Sequence, residues 1–527
     1  MGEGVATTGQ GQPAMGRKHQ LAINLAANVT AFAIQLGINF FFTPYLVNTL
    51  GKEAYSFFPL ANTITGYAGI ITIALNSMAS RFITFRIQQN DPAGANIYFN
   101  SVLAGNTFIA LLLAVPSVLS VIFLEHLLNV PPAVLFQVKV LFGLVFAGSL
   151  ISIVTSVYGV ATFARNRLEL SSMRNAESNV IRVAVLILLF SAFTPSISYI
   201  GIANLVVAMF LAFMNMRYTR KLLPEITIAH RFFRMDAVKE LTASGVWNSV
   251  NQLSNILMSG LDLLIANIFL GAAASGEFAI AKTVPMFFQS FIAVMVSVFV
   301  PELMILYAQG KMSEFRTSLS RSMKFMQILL SIPMGFLVVF GDTFFNLWVP
   351  GQDSGMLHLM TFLIILPMVV TTSIETVFHV YTITNKLRIP ALALLITGIV
   401  NVTLMLAAVR YTSLGILAIP LIGLATGLIK HLTFTPIYAA HVLKEKKTTF
   451  YRPILQGFLD FSLVALAAYG ARLLLHPASW ITFIAAFLIT SVVALGANIL
   501  VTLNRQERVI FRGMVVSGLK KFKIKSS

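Results

Sequence analysis

Read for the alternation of apolar and polar positions, the chain breaks into long, almost uninterrupted apolar runs. Fourteen such runs lie near 20–47, 56–80, 97–124, 135–164, 179–194, 197–216, 244–270, 277–305, 322–346, 357–383, 390–409, 414–442, 454–475 and 479–503. A helix crosses a hydrocarbon core with about 20 residues, so each run is a candidate span. Short polar or Gly/Pro turns separate them, and Pro195 marks the narrowest break. Open strands cannot span lipid, because every backbone polar group there must pair internally. The pattern predicts an all-α polytopic membrane protein with about fourteen transmembrane helices.

The chain also matches itself. Asn28 and Gln35 in span 1 correspond to Asn248 and Asn255 in span 7, and Leu50-Gly51 to Leu270-Gly271. Pro116, Phe123, Glu125 and Asn129 correspond to Pro333, Phe340, Asp342 and Asn346, with a Val-Pro pair after each. Asn179-Val180 answers Asn401-Val402, and Gly201-Ile202 answers Gly415-Ile416. The shared order implies a repeat of six spans. An even number gives both copies the same orientation, related by an axis along the membrane normal. The expected organisation is an N-lobe of spans 1–6 (1–216), a cytoplasmic linker (217–243), a C-lobe of spans 7–12 (244–442), spans 13–14 (443–503) and a basic tail (504–527).

Polar positions inside the runs come next. Asn24, Asn28, Gln35 and Asn39 fall on one stripe of span 1; Asn248, Asn251, Gln252 and Asn255 fall on one stripe of span 7, continued by Ser259 and Asp262. An amide facing acyl chains costs free energy on the order of kcal/mol. The stripes therefore face protein or water, and the expectation is a hydrated central cavity between the lobes. Amide glue between packed helices is the alternative. Lys430 lies near the middle of its span, too deep to snorkel with ease. Asp262 and Glu375 also lie well inside theirs, and intramembrane ionisable groups are functional candidates. A static ion pair is the rival reading for each. Arg81, Arg182 and Lys282 sit closer to the span ends. Asp460 reads as shallow and carries no signal. His379 and His431 read as packing histidines.

Composition confirms the class and charge gives the orientation. Hydrophobic residues are 57% and charged residues 11%, too few charges to cover a soluble surface. The net charge of +18 would suit a nucleic-acid binder, but 32 of the 37 Lys and Arg residues fall on the side that holds both termini. That asymmetry marks the cytoplasmic side. The tail from Arg505 to Lys525 is expected to lie on anionic lipid headgroups. There is no cysteine, hence no disulfide or thiolate site. Arg17 and Lys18 precede a full-length span with no short cleavable segment, so span 1 is expected to be retained. No phosphate-binding G-x-x-x-x-G-K-[ST] loop, H-E-x-x-H or G-x-S-x-G occurs, which leaves little for an ATP-driven or enzymatic reading; no cofactor is expected. The loop 81–95 lacks the Gly-Asp-Arg-Gly pattern of major-facilitator transporters.

Several degenerate patterns resemble one family. They are Leu50-Gly51-Lys52-Glu53-Ala54-Tyr55-Ser56-Phe57, Ser80-Arg81, Leu222-Leu223-Pro224-Glu225, Ser244-Gly245-Val246-Trp247-Asn248, Asp262-Leu263-Leu264-Ile265, Pro301-Glu302 and Asn346-Leu347-Trp348-Val349. Together they are similar to the polysaccharide-exporter (Wzx-type, O-antigen and lipid-linked oligosaccharide flippase) branch of the multidrug/oligosaccharidyl-lipid/polysaccharide (MOP, MATE-like) superfamily. The resemblance spans all fourteen helices. It implies two six-helix lobes with alternating access, no enzymatic activity, and a bacterial cytoplasmic (inner) membrane location. It implies movement of an undecaprenyl-pyrophosphate-linked glycan of lipopolysaccharide type from inner to outer leaflet, coupled to H+ or Na+. Lipid II flippases carry several arginines in spans 1 and 2, whereas the span 1 run has none.

On that reading the amide stripes would line the substrate's path. Lys430, Arg81, Arg182 and Lys282 would hold the anionic headgroup, and Asp262 or Glu375 would bind the coupling ion. Polysaccharide polymerases or glycosyltransferases are the expected protein partners. A multidrug/cation antiporter of the same superfamily is one rival, centred on a carboxylate such as Asp262. A non-transporting scaffold for polysaccharide synthesis is the other, indifferent to loss of Lys430 or Asp262.

Overall fold

The computed structural model describes residues 14–384, 386–505 and 507–508. Among them the chain is helical, with no strand. The long helices are α1 (Ala14–Leu50), α2 (Lys52–Gln88), α3 (Pro92–Ile122), α4 (Leu135–Thr155), α5 (Leu168–Ala192), α6 (Ser198–Leu222), α7 (Met235–Asn255), α8 (Asp262–Ala308), α9 (Met312–Trp348), α10 (Ser354–Ile383), α11 (Arg388–Tyr411), α12 (Ala418–Leu432), α13 (Phe434–Leu443), α14 (Tyr451–Leu474) and α15 (Trp480–Thr502).

Thirteen helical segments among the described residues are long and apolar enough to cross a membrane. One of them, Met235–Ala308, has 74 residues, far beyond a single crossing. It is broken inside α8 at Gly271, where φ is 91° and ψ is 174°. That break separates spans 7 and 8. Gly51 takes the matching positive φ of 81° between α1 and α2, 220 residues earlier. Only glycine adopts such angles without strain. The Leu-Gly pair thus places a glycine of positive φ at both positions. Pro44, Pro59, Pro116, Pro285, Pro301, Pro333 and Pro367 all lie inside helices, as membrane helices allow.

The chain divides into two compact units. The first takes residues up to Phe41, Ala68–Ile122 and Lys139–Asn248; the second takes Phe42–Tyr67, Phe123–Val138 and Ser249 onward. The first unit has a core of Ile83, Phe99, Val102, Val157, Leu223 and Leu241 and their neighbours. Within it, Asn76, Asn106 and Ser156 from three spans form a closed set of hydrogen bonds at 2.9–3.0 Å. The linker is strapped to α3. Asn96 donates to Glu225 O and accepts from the Thr227 N–H, and Asn100 repeats this with Thr227 O and the Ala229 N–H. Two amide side chains replace the strand partner that an extended segment would otherwise lack.

In the second unit α9, α10, α12, α13 and α14 enclose Phe315, Met323, Val377, Ala439 and Ile454. Helices α14 and α15, the last pair, pack on α9. There Gly335 lets Val464 approach; a Cβ would stand 2.8 Å from Val464 Cβ. Beyond α15, Glu507 caps the Asn504 N–H and binds Lys324 at 2.9 Å. The basic tail beyond Arg508 lies outside the described residues.

Candidate functional site

Span 7 is the most polar of the spans, and its helix changes pitch midway. After α7 ends at Asn255, Ile256–Gly260 form a π-turn before α8 begins at Asp262. A π-turn frees carbonyls from the regular ladder, and such turns recur at functional sites. Four carbonyls here are bound by side chains from elsewhere. Asn401 Nδ2 donates to Leu257 O and Met258 O at 3.2 and 3.1 Å. Lys282 donates to Ser259 O, and Tyr67 to Gly260 O at 2.8 Å. Gly398 permits this: its Cβ would lie 2.7 Å from Leu257 Cβ. Thr426 in turn fixes Asn401 Oδ1 at 2.8 Å.

The same lysine closes an ion pair. Lys282 Nζ lies 2.8 Å from Asp262 Oδ2, and the two side chains retain 19% and 12% of their exposure. The phenyl ring of Phe278 lies 5.8 Å from the ammonium. Two residues assigned to separate tasks in the sequence, headgroup capture for Lys282 and ion coupling for Asp262, are therefore partners. Nearby, Lys52 pairs with Glu277, and Gly276 allows the close approach, since a Cβ would stand 2.3 Å from Lys52 O.

The second charged pair is looser. Glu375 follows Ile374, whose φ of −131° and ψ of 15° break α10. Lys430 sits in the last turn of α12, before the break at Thr433 that starts α13. Its ammonium lies 5.6 Å from the Phe378 ring, one helical turn from Glu375. The His431 ring meets the same phenyl edge-on at 5.7 Å. Lys430 and Glu375 are close enough to act on each other electrostatically, yet among the described residues neither closes an ion pair. Both are half-buried.

The remaining candidates divide by unit. Asn24 is buried, accepts the Glu169 N–H at 3.1 Å, and approaches Asn166. Asn28 accepts from Ser172 at 3.1 Å. These two join α1 to the start of α5. Gln35 is exposed and Asn39 half-buried. Asn248 donates to Ser77 at 3.1 Å within the first unit. Asn251 and Asn255 are exposed and Gln252 is half-buried in the second. Arg81 is exposed on α2. Arg182 is half-buried on α5, and its Nε meets no acceptor among the described residues. Phe213, Met216, Arg217, Arg220 and Lys221 line a crevice at the linker end of α6. Among the described residues no group of three or more His, Asp or Glu side chains is placed to hold a metal ion.

Sequence reasoning missed the π-turn, the kink at Ile374 and the Asn76–Asn106–Ser156 set. The last had a signal, since each residue is a polar interruption of an apolar run. The first two had none, because nothing in Ile256–Gly260 or at Ile374 departs from ordinary helix formers apart from Gly260. Asp460, read as shallow, is fully buried.

A family model described as polysaccharide biosynthesis protein matches residues 21–306. The membrane protein EpsK of Bacillus subtilis (strain 168), itself described as uncharacterized, is 31% identical over 439 residues, which is 83% of this chain and 86% of that one. Among solved structures, the lipid II flippase MurJ in an inward closed conformation aligns with a TM-score of 0.66 at 13% identity, over 94% of this chain and 100% of its own. An inward-facing MATE multidrug resistance transporter of the MOP superfamily gives 0.63 at 14%, over 80% and 99%. A MOP superfamily transporter from Pyrococcus furiosus gives 0.60 at 14%, over 84% and 100%. At these identities the structures share the fold: an all-α, multi-pass MATE-like membrane architecture.

Proposed function

The chain belongs to the polysaccharide biosynthesis protein family, and on that premise we propose that it is a flippase for an undecaprenyl-pyrophosphate-linked oligosaccharide. It carries the repeat unit of a polysaccharide from the inner to the outer leaflet of a bacterial cytoplasmic membrane, with both termini cytoplasmic and with H+ or Na+ as the coupling ion. The chemistry sets the demand. A pyrophosphate brings at least two negative charges, and the idealised cost of moving one such ion into hydrocarbon is on the order of 20 kcal/mol. Polar side chains along the path replace the lost water.

The observation that carries the reading is Lys430. It is a cation inside a span, set over an aromatic face and closing no ion pair among the described residues. A half-buried charge inside a span that closes no ion pair is costly unless a ligand completes it. Glu375 beside it is the carboxylate for a coupling ion. Arg81 and Arg182 serve as further anion contacts. Of the amide stripes, Gln35, Asn39, Asn251, Gln252 and Asn255 serve as glycan contacts, whereas Asn24, Asn28 and Asn248 are taken up by Glu169, Ser172 and Ser77. The antiporter alternative is weakened by Lys282, which already neutralises Asp262. Anionic lipids meet the basic crevice at the end of α6, and glycosyltransferases or a polymerase supply and consume the glycan.

Reconstitution tests the proposal. A labelled lipid-linked oligosaccharide is followed across proteoliposome leaflets with wild type and Lys430→Ala. A charge-assisted hydrogen bond contributes about 1.5–3 kcal/mol, so the variant should flip at least about tenfold more slowly. Equal rates would remove Lys430 from the mechanism, and no flipping by wild type would remove the substrate class.

A further inference from the structure

Spans 13 and 14 bring a polar cluster of their own against α9. Gln327 and Ser331 stand one turn apart on α9, as do Asn498 and Thr502 on α15. Pro453, Gly457 and Asp460 follow one face of α14. Gln327 Nε2 donates to Pro453 O at 2.7 Å, and a Cβ on Gly457 would lie 3.6 Å from Gln327 Cγ. Asn498 Nδ2 donates to Ser331 Oγ at 3.0 Å, and Thr502 Oγ1 to Asp460 Oδ1 at 2.6 Å. Ser331 gives its own proton to Ile328 O at 3.1 Å. Three helices are joined in a ring.

Each amide gives one N–H to these bonds, and three oxygens are left over. Gln327 Oε1, Asn498 Oδ1 and Asp460 Oδ2 have no donor among the described residues. Asp460 and Asn498 are 0% exposed and Gln327 1%. The nearest lysine on α9, Lys324, is committed to both oxygens of Glu507. Buried polar atoms are almost always paired, and an isolated buried carboxylate is among the costliest groups a fold can hold.

We propose that Asp460, Asn498 and Gln327, with the hydroxyl oxygens of Thr502 and Ser331, form a binding site for a sodium ion between α9, α14 and α15. The donor set is all oxygen, which suits a hard cation. One carboxylate balances one positive charge, whereas a divalent ion would leave a net charge in the hydrocarbon layer. A proton on Asp460 explains less. It supplies one donor, which satisfies at most one of the two orphan amide oxygens. A cation satisfies all three oxygens at once. The site uses neither Asp262 nor Glu375 and does not depend on the identity of the flipped lipid. Its consequence is that sodium pins the accessory pair to the C-terminal half of the repeat.

The test uses the full-length protein in detergent. Thermal unfolding is followed while sodium replaces choline at constant ionic strength, with a potassium arm, and equilibrium binding of radioactive sodium is measured in parallel. Wild type should bind one sodium ion per chain more than Asp460→Asn and show a saturable rise in unfolding temperature that choline does not produce. Asp460→Asn should lose that ion and that rise, whether or not Glu375 binds a coupling ion. It should also be no less stable than wild type without sodium, because its amide donates to the orphan oxygens. Asn498→Leu keeps the carboxylate and should weaken sodium binding about tenfold or more. No binding by wild type, or the same number of sodium ions bound by Asp460→Asn, overturns the proposal. So does a response to pH in place of sodium, which would assign Asp460 a proton. If Asp460→Asn cannot be purified, unchanged sodium affinity in Asn498→Leu overturns it.

Discussion

The Lys282–Asp262 pair offers the sharpest perturbation, because the structure assigns each charge to the other. Removing one member of a buried pair costs about 3–5 kcal/mol, mostly for the charge left behind. Here the cost is lower, because Lys282 keeps Ser259 O and the Phe278 face, and both side chains retain some exposure. We expect about 2–3 kcal/mol for Asp262→Asn and for Lys282→Met. If the two act as a unit, the double variant costs little more than either single, which gives a coupling energy of about 2 kcal/mol, within the range for groups in contact. That equals about a thirtyfold change in the unfolding equilibrium. A double-mutant cycle by reversible unfolding in mixed micelles reads it directly. Single costs that simply add, with coupling near zero, would refute the pairing and return the two charges to separate roles.

Two further outcomes follow from the packing and the tail. Gly457→Ala places a Cβ 1.9 Å from Ser373 Oγ and 3.2 Å from Ser373 Cβ. Overpacking of this kind costs about 1–3 kcal/mol, so the variant should lose thermal stability in detergent and Ser373→Gly should restore most of it. Burial raises the Glu507 carboxyl, but hydrogen bonds from Lys324 and the Asn504 N–H outweigh it and hold the group below its ordinary value of 4.5. A depressed value means that the contribution is complete above the ordinary value and is lost as pH falls through the folded one. Glu507→Gln should therefore be less stable than wild type at neutral pH, by about 1 kcal/mol for this half-buried pair. The difference should vanish in acid; a gap that persists there would contradict the assignment.

Much of the fold was legible before any coordinates, for a physical reason. Lipid removes water as a hydrogen-bonding alternative, so helix is forced wherever about 20 apolar residues run together. The two-helix reading around Pro195 is observed as α5 and α6, separated at Ala192 and Ser198. The matching Leu-Gly pairs both end in a glycine of positive φ. The polar side chains were less legible. Asn24 and Asn28 bond across to α5, and Asn401 bonds across to the π-turn. An amide stripe on a helical wheel looks the same whether it will meet a ligand or a neighbouring backbone.

What the residue order determines here is the class of protein, its many apolar crossings and the stretches where charge enters the membrane, since each depends on one segment's own transfer free energy into lipid. What only the tertiary structure decided is which charges meet. Lys282 found Asp262, Lys430 stayed near Glu375 without closing on it, and Asp460, fully buried, accepts a hydrogen bond from Thr502, 42 positions away. Interaction between charges falls off with distance and depends on the local dielectric. Both are set by helices far apart in the chain, so no single span encodes them.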